Sequence, residues 1–294
     1  MGIEIRTEGI ALAKMEEKKG VGQELTFHRF KKGNAAERQT VLSELVTEAN
    51  ASGADCHLVL TNQQYQIFQV DRPEVEDTEL RASVHWKLSD LIDYPLDDAV
   101  SDVFEFPEDA SRGRKLVNLV CARKAIIKEY IQLMEACGLN LVSIDVIDLA
   151  LRNIAQRFVD EDSAIGLLYL RQGFGMLVLV KGQMLYLSRK MEVRESALKE
   201  PAQQESVVQQ LSLEIQRSLD YFESQLRQIP PRQILLLGPD ISLPLAQLLD
   251  PLLAVSVEDA NFDDLLPEQN SESLMELVQT LVAVGGVQRE GNER

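Results

Sequence analysis

The stretch GIEIRTEGIAL, residues 2–12, opens the chain with a short apolar strand, a tight turn and a second apolar strand. Apolar and charged residues alternate around Gly9, which is typical of two paired antiparallel strands. The same rhythm returns at residues 165–180, where an apolar strand leads through a glycine-containing turn into Met176–Val180. A hairpin repeated at the head of each half predicts two related lobes that face one cleft.

Length and charge limit the classes of function. A chain of 294 residues is long enough for two lobes with their own cores. Its net charge of −17 argues against a nucleic-acid binder and against unaided adsorption to an anionic membrane, and it favours a basic partner. No apolar run approaches the roughly 20 residues of a spanning helix, and the N-terminus is not a signal peptide. We therefore expect a cytoplasmic protein without direct membrane insertion.

The reactive residue types form no recognisable catalytic or metal-binding motif. Cys56, Cys121 and Cys137 are odd in number and far apart, which favours reduced thiols in a reducing compartment. The three histidines lack the spacing of metal ligands. A nucleophile-elbow motif and a phosphate-cradling Gly-x-x-x-x-Gly-Lys loop are both absent. The sequence therefore predicts no metal, no catalytic residue and no enzyme.

The pattern of strands and helices divides the chain into two lobes and an insertion. We expect a first lobe over residues 1–160, a second over 161–287 and a flexible tail over 288–294. Residues 73–122 hold the only tryptophan and several other aromatic residues, and they predict a small subdomain inserted into the first lobe. A single apolar stripe from Val208 to Leu226 predicts a long helix that faces the core, although a coiled-coil seam is the alternative. The polar stretch 197–206 is predicted as a connection.

Three segments carry a resemblance to a known family. Within the insertion these are Glu79–Trp86 and Tyr94–Phe104, and beyond it the helix Leu213–Phe222 with its Glu-Ile-Gln-Arg-Ser-Leu-Asp-Tyr run. Together with the opening hairpin they resemble the PilM family of type IV pilus assembly proteins, most of all its MshI-type branch for the mannose-sensitive haemagglutinin (MSHA) pilus. The resemblance covers most of the chain. It implies an α/β, actin-like (ribonuclease H-like) fold with two lobes and a small inserted α+β subdomain.

The resemblance also implies a partner. PilM-type proteins lie at the cytoplasmic face of the inner membrane and grip the N-terminal tail of a PilN-type membrane protein between the first lobe and the inserted subdomain. Aromatic side chains of the insertion could anchor such a tail, with acidic side chains at the rim, or they could simply form the subdomain's core. The candidate partner-binding residues are Trp86, Tyr94, Asp97, Asp98, Asp102 and Phe104.

Many proteins of the family bind ATP, but the phosphate loops here depart from the family's pattern. Arg6 and Arg171 stand where small glycines let backbone N–H groups approach phosphate, and Glu8 adds a repelling carboxylate. The whole set of cleft positions is Glu4, Arg6, Glu8, Tyr169, Arg171, Gly238 and Pro239. Two interpretations remain: the arginines hold an anion, or they pair with Glu4 and Glu8. We favour the second, and we expect a degenerate nucleotide site with no ATP or magnesium cofactor.

These features predict a non-catalytic scaffold that links a PilN-like inner-membrane protein to the pilus motor ATPase. One alternative is an ATP-binding actin-like switch in the same machine. The other is a GspL-like cytoplasmic component of type II secretion, which shares the architecture.

Overall fold

The computed structural model describes residues 1–18, 22–158, 163–171, 173–193, 195–238, 243–262 and 271–288. The strands, in chain order, are β1 (Gly2–Ile5), β2 (Gly9–Lys18), β3 (Gly22–Lys32), β4 (Asp55–Leu60), β5 (Tyr65–Asp71), β6 (Ala99–Glu105), β7 (Leu116–Arg123), β8 (Asn140–Val146), β9 (Ala164–Arg171), β10 (Phe174–Lys181), β11 (Met184–Met191), β12 (Gln233–Leu237) and β13 (Ser256–Asp259). The α-helices are α1 (Arg38–Glu48), α2 (Asp77–His85), α3 (Lys124–Ala136), α4 (Ile147–Ala155), α5 (Glu195–Lys199), α6 (Pro201–Ser224), α7 (Leu245–Leu249) and α8 (Ser271–Val287).

Two five-stranded sheets share one topology. Their strand orders are β3-β2-β1-β4-β8 and β11-β10-β9-β12-β13. In each sheet an antiparallel three-stranded meander is followed by two parallel strands. The central strands β9 and β10 are almost continuously apolar and buried, as expected for strands covered on both faces. The repeated hairpins that the sequence predicted therefore occupy equivalent positions in the two sheets.

The insertion forms a third sheet of order β5-β7-β6. Helix α2 packs on one face of it, where Leu80 and Val84 of the helix meet Val117 and Leu119 of β7. The sheet begins at Tyr65, upstream of the expected boundary at residue 73, because β5 pairs in register with β7 from Tyr65 onward. Backbone pairing with a strand some fifty positions away decides this boundary, and the local composition around residue 73 gives no sign of it.

The long helix α6 confirms the predicted stripe and corrects its start. The stripe faces the core, where Leu211, Ile215, Leu219 and Phe222 are all buried. The helix begins at Pro201, inside the stretch 197–206 that the sequence predicted as a connection. Proline is well suited to the first helical position, because its missing N–H would have no partner there.

Helix α8 packs on the first sheet and on α4, although its position in the chain assigned it to the second lobe. Its apolar residues Leu277, Leu281 and Val284 are fully buried in the same core as Ile3 and Leu12. The first sheet has an apolar face that requires a cover, and α8 supplies it. Within the described residues, no helix is both long enough and apolar enough to cross a membrane.

The contact between α8 and α4 gives a stability prediction with an unusual sign. A methyl group at Gly285 would lie 2.1 Å from the carbonyl oxygen of Ala150, far inside van der Waals contact. In an open helix, Gly→Ala stabilises by about 1 kcal/mol, whereas overpacking here should cost about 1–3 kcal/mol. We expect Gly285→Ala to lower the urea midpoint of unfolding.

The neighbouring glycine supplies the matched control for this prediction. An added methyl at Gly286 would meet only the side chain of Val59, which can move, so Gly286→Ala should cost less. If Gly285→Ala were as stable as the wild type, the close approach of α8 to α4 would be contradicted.

Candidate functional site

Three charged side chains meet where the two repeated hairpins face each other. Arg6 donates to Glu4 Oε2 from Nε at 2.9 Å and from Nη2 at 2.6 Å, and Arg171 Nη1 donates to the same oxygen at 3.0 Å. Arg171 Nη1 also lies 2.8 Å from Glu4 Oε1. Glu4 is completely buried, and both arginines are nearly so. One carboxylate of the first sheet is thus shared between its own hairpin and the hairpin of the second sheet.

The charges of this cluster reinforce one another. Burial disfavours the ionised form of Glu4, but the guanidinium groups of Arg171 and Arg6 outweigh it and lower the pKa of the carboxyl. Burial likewise disfavours the charge on Arg171, but Glu4 and its other neighbours outweigh it and raise the pKa. Burial raises the pKa of the Tyr169 hydroxyl, so that group stays neutral. The cluster is therefore a buried ion pair shared by three groups, with a neutral tyrosine beside it.

Helix α8 fastens both hairpins. Arg6 Nη1 donates to Gln279 Oε1 at 3.0 Å, and its Nη2 donates to the backbone oxygen of the same residue. The hydroxyl of Tyr169 donates to the backbone oxygen of Val278 at 2.7 Å. Sequence reasoning missed Gln279 and Val278, because they lie far along the chain from either hairpin and belong to no motif.

Little space remains in the cleft. A cavity of about 180 Å³ lies beside the cluster, below the roughly 300–1,000 Å³ of typical ligand pockets. Glu8 is exposed and accepts a hydrogen bond from the Thr7 hydroxyl, and within the described residues it makes no ion pair. The expected pairing of the arginines is thus observed for Glu4 and not for Glu8. Gly238 follows β12, while Pro239 lies outside the described residues. Among the residues that the structure describes, no cluster of histidine, cysteine or carboxylate groups could hold a metal ion.

The structure distributes the predicted partner-binding residues over two sides of the inserted sheet. Trp86 is 71% exposed and directly follows α2. Tyr94 packs into the cluster on the α2 side, where its hydroxyl contacts Cys121 Sγ and the Arg123 guanidinium lies 4.0 Å from its ring centre. Burial and the contact with Cys121 raise the pKa of Tyr94 to about 12. Phe104 lies on the opposite face of the sheet. The aspartates of the set, Asp97, Asp98 and Asp102, are exposed.

A larger cavity separates this opposite face from the second sheet. Its volume is about 550 Å³, within the range of ligand pockets. One wall is the inserted sheet and the other is β11, with Asp148 of α4 and Tyr221 of α6 between them. The tyrosine Tyr65 donates to Asp148. Of the six predicted partner-binding residues, only Phe104 lines this cavity. The lining residues are Ile67, Phe68, Gln69, Phe104, Phe106, Asn118, Asp148, Leu185, Tyr186, Leu187, Ser188, Arg189 and Tyr221.

Comparison with known proteins places the fold. No family model matches the chain, and no curated protein matches its sequence. Among solved structures, a chain of the PilM–PilN type IV pilus biogenesis complex is similar with a TM-score of 0.79 and 20% identity, covering 99% of this chain and 98% of that one. The cytoplasmic domain of EpsL, an inner-membrane component of the type II secretion system of Vibrio cholerae, is similar with a TM-score of 0.58 and 14% identity, covering 99% and 95%. The chain has the two-lobed actin-like α/β fold that its sequence predicts.

Proposed function

We propose that this protein is a non-catalytic, cytoplasmic scaffold of a type IV pilus assembly machine and binds the N-terminal cytoplasmic tail of a PilN-like inner-membrane protein. The observation that supports this most is the fold, shared over nearly the full length of both chains with a component of a PilM–PilN complex. Through that partner the protein would be held at the inner membrane, where it would link the partner to the motor ATPase. The resemblance of the sequence to the MshI-type branch makes the MSHA pilus the system we propose.

Charge complementarity supports the proposed partner independently of the fold. The cytoplasmic flanks of bacterial membrane spans are enriched in lysine and arginine, and a protein with a net charge of −17 complements such a flank. The attraction would speed association and weaken with salt. Binding of the tail is therefore expected to be tighter at low ionic strength.

The cavity of about 550 Å³ is the place where the structure best accommodates the tail. A flexible tail loses conformational entropy when it binds, so an apolar anchor must compensate for that loss. Phe104 and Ile67 of the inserted sheet face Leu187 of β11 across the cavity and provide an apolar lining. We therefore place the tail between the inserted sheet and the second sheet, whereas the sequence had suggested the groove between the insertion and the first lobe.

This placement predicts that Phe104→Ala weakens tail binding at least tenfold, because it removes the largest aromatic wall of the cavity on the inserted sheet. The measurement is calorimetry with a synthetic peptide of the PilN-like tail, after thermal melting has shown that the variant is folded. Trp86→Ala is the matched control, since Trp86 is an exposed aromatic residue on the other side of the insertion. Loss of binding in Trp86→Ala with normal binding in Phe104→Ala would place the tail on the α2 side instead.

We further infer that the nucleotide cleft is inactive. Glu4 occupies the donors of Arg6 and Arg171, and the remaining cavity of about 180 Å³ is small for a nucleotide. We expect no rise in melting temperature with millimolar ATP and Mg²⁺. A native-state ligand at a hundred times its Kd would stabilise by about 2.7 kcal/mol, which melting detects readily. The double variant Arg6→Gly with Arg171→Gly should also fail to bind ATP, because Glu8 and Tyr169 remain. A clear shift with ATP would instead favour the actin-like switch.

The second candidate is a GspL-like component of type II secretion. The similarity to the cytoplasmic domain of EpsL supports it, although the TM-score of 0.58 is lower than the 0.79 found for the pilus protein. Parallel pull-downs with a PilN-like tail and with a type II secretion motor ATPase from the same organism distinguish the two. Capture of the secretion motor without capture of the tail would favour the second candidate.

A further inference from the structure

We propose that the tail binds as an added β-strand on the outer edge of β11. This inference rests on the proposed function, because it takes the PilN-like tail as the occupant of the cavity. It adds the chemical class of the ligand: an extended peptide that is recognised through its backbone and carries apolar side chains at alternate positions.

The free edge of β11 carries the argument. Strand β11 is the outermost strand of the second sheet and pairs only with β10. In an antiparallel ladder, backbone groups of every second residue point away from the neighbouring strand. Within the described part of the chain, no backbone group outside the sheet bonds to this edge of β11. The edge therefore presents unpaired N–H and C=O groups.

The position of this edge makes it a binding surface. Five consecutive residues, Leu185–Arg189, line the cavity. Five residues of strand extend about 17 Å at roughly 3.4 Å per residue, enough to pair with a short extended peptide. Unprotected edges favour aggregation, and proteins commonly cover them. Here the inserted sheet stands in front of the edge and leaves room for a single strand.

The inserted sheet cannot supply the missing backbone partners itself. It turns a face toward β11, so that the side chains of Ile67, Phe104 and Asn118 line the opposite wall. The Tyr186 hydroxyl donates to Asp109 Oδ1 of the insertion at 2.8 Å and fastens the insertion beside β11. One wall thus offers backbone hydrogen bonds and the other offers apolar surface, which are the two requirements of strand addition.

Backbone methylation of the peptide tests the proposal directly. A series of synthetic PilN-like tail peptides, each with one N-methylated amide, is titrated into the full-length protein by calorimetry. We expect methylation at every second amide within the bound segment to weaken binding at least tenfold, and methylation at the intervening amides to change it less than threefold. Hydrogen exchange of the β11 amides should slow at least tenfold when the unmodified peptide binds.

The outcomes separate the binding mode from the function. Tight binding of the unmodified peptide without any alternating effect of methylation would overturn strand addition and leave the proposed function standing. No binding of the unmodified peptide at low salt would overturn both. Protection of the β11 amides without peptide, in a protein that sediments as a dimer, would show that a second copy covers the edge and would overturn the proposal.

Discussion

Replacing Glu4 with glutamine is expected to lower the free energy of unfolding by about 3–5 kcal/mol, because it leaves two buried guanidinium groups without a counter-charge. Arg6 and Arg171 are only 3% and 7% exposed, so water cannot replace the lost carboxylate. Glutamine retains the size of the side chain and its hydrogen-bonding oxygen, so the change isolates the charge. Urea unfolding at neutral pH measures the effect.

Glu8→Gln is the matched control for this substitution. Glu8 lies on the same hairpin but is exposed, and it makes no ion pair within the described residues, so its change should stay within about 0.5 kcal/mol. Equal effects of the two substitutions would contradict the buried cluster. The Arg171 bridge to Glu4 also joins the two sheets, so the glutamine variant should loosen the cleft as well as the fold.

The difference between wild type and Glu4→Gln should depend on pH. The pKa of Glu4 is lowered in the folded state, so its contribution to stability is present above the pKa of the unfolded chain. It is lost as the pH falls from about 4.3, the ordinary pKa of glutamate, through the lowered folded value. The stability curves of the two proteins should therefore converge in acid. A difference that stays constant from neutral pH to pH 3 would mean that the charge of Glu4 is not the cause.

Phe222→Ala is expected to cost about 3–5 kcal/mol, the usual loss when a fully buried phenylalanine is truncated. Phe222 is 0% exposed and meets Tyr186 of β11 edge to face, with ring centres 5.6 Å apart. Leu219→Ala, one turn earlier on the same stripe, should cost about 2–5 kcal/mol. Both costs are measured by urea unfolding.

The exposed face of the same helix provides the control. Glu223 adjoins Phe222 in the sequence but is exposed, so Glu223→Ala should change stability by less than about 0.5 kcal/mol. A cost below about 1 kcal/mol for Phe222→Ala would mean that the stripe is a surface for a partner, contrary to its burial in the structure.

Local patterns determined the repeated elements of this protein. Alternation around Gly9 and around residues 171–175 is enough to predict the two hairpins, because the side-chain period of a strand is visible in a few residues. The stripe of α6 is similarly legible, since its residues recur every three or four positions on one face. The substitutions Arg6 and Arg171 in the turns were visible for the same reason, and they pointed correctly to Glu4 as a partner.

Contacts between distant parts of the chain were decided only by the tertiary structure. The docking of α8 on the first sheet, and with it the bonds from Gln279 and Val278 to the hairpins, depends on which apolar face remains uncovered after the sheet has formed. The faces of the inserted sheet likewise separated Phe104 from Tyr94, because a strand sends neighbouring positions to opposite sides and only the packed subdomain shows which side meets β11. A sequence records the period of an element, whereas its partner across a cavity is set by packing between segments that are far apart in the chain.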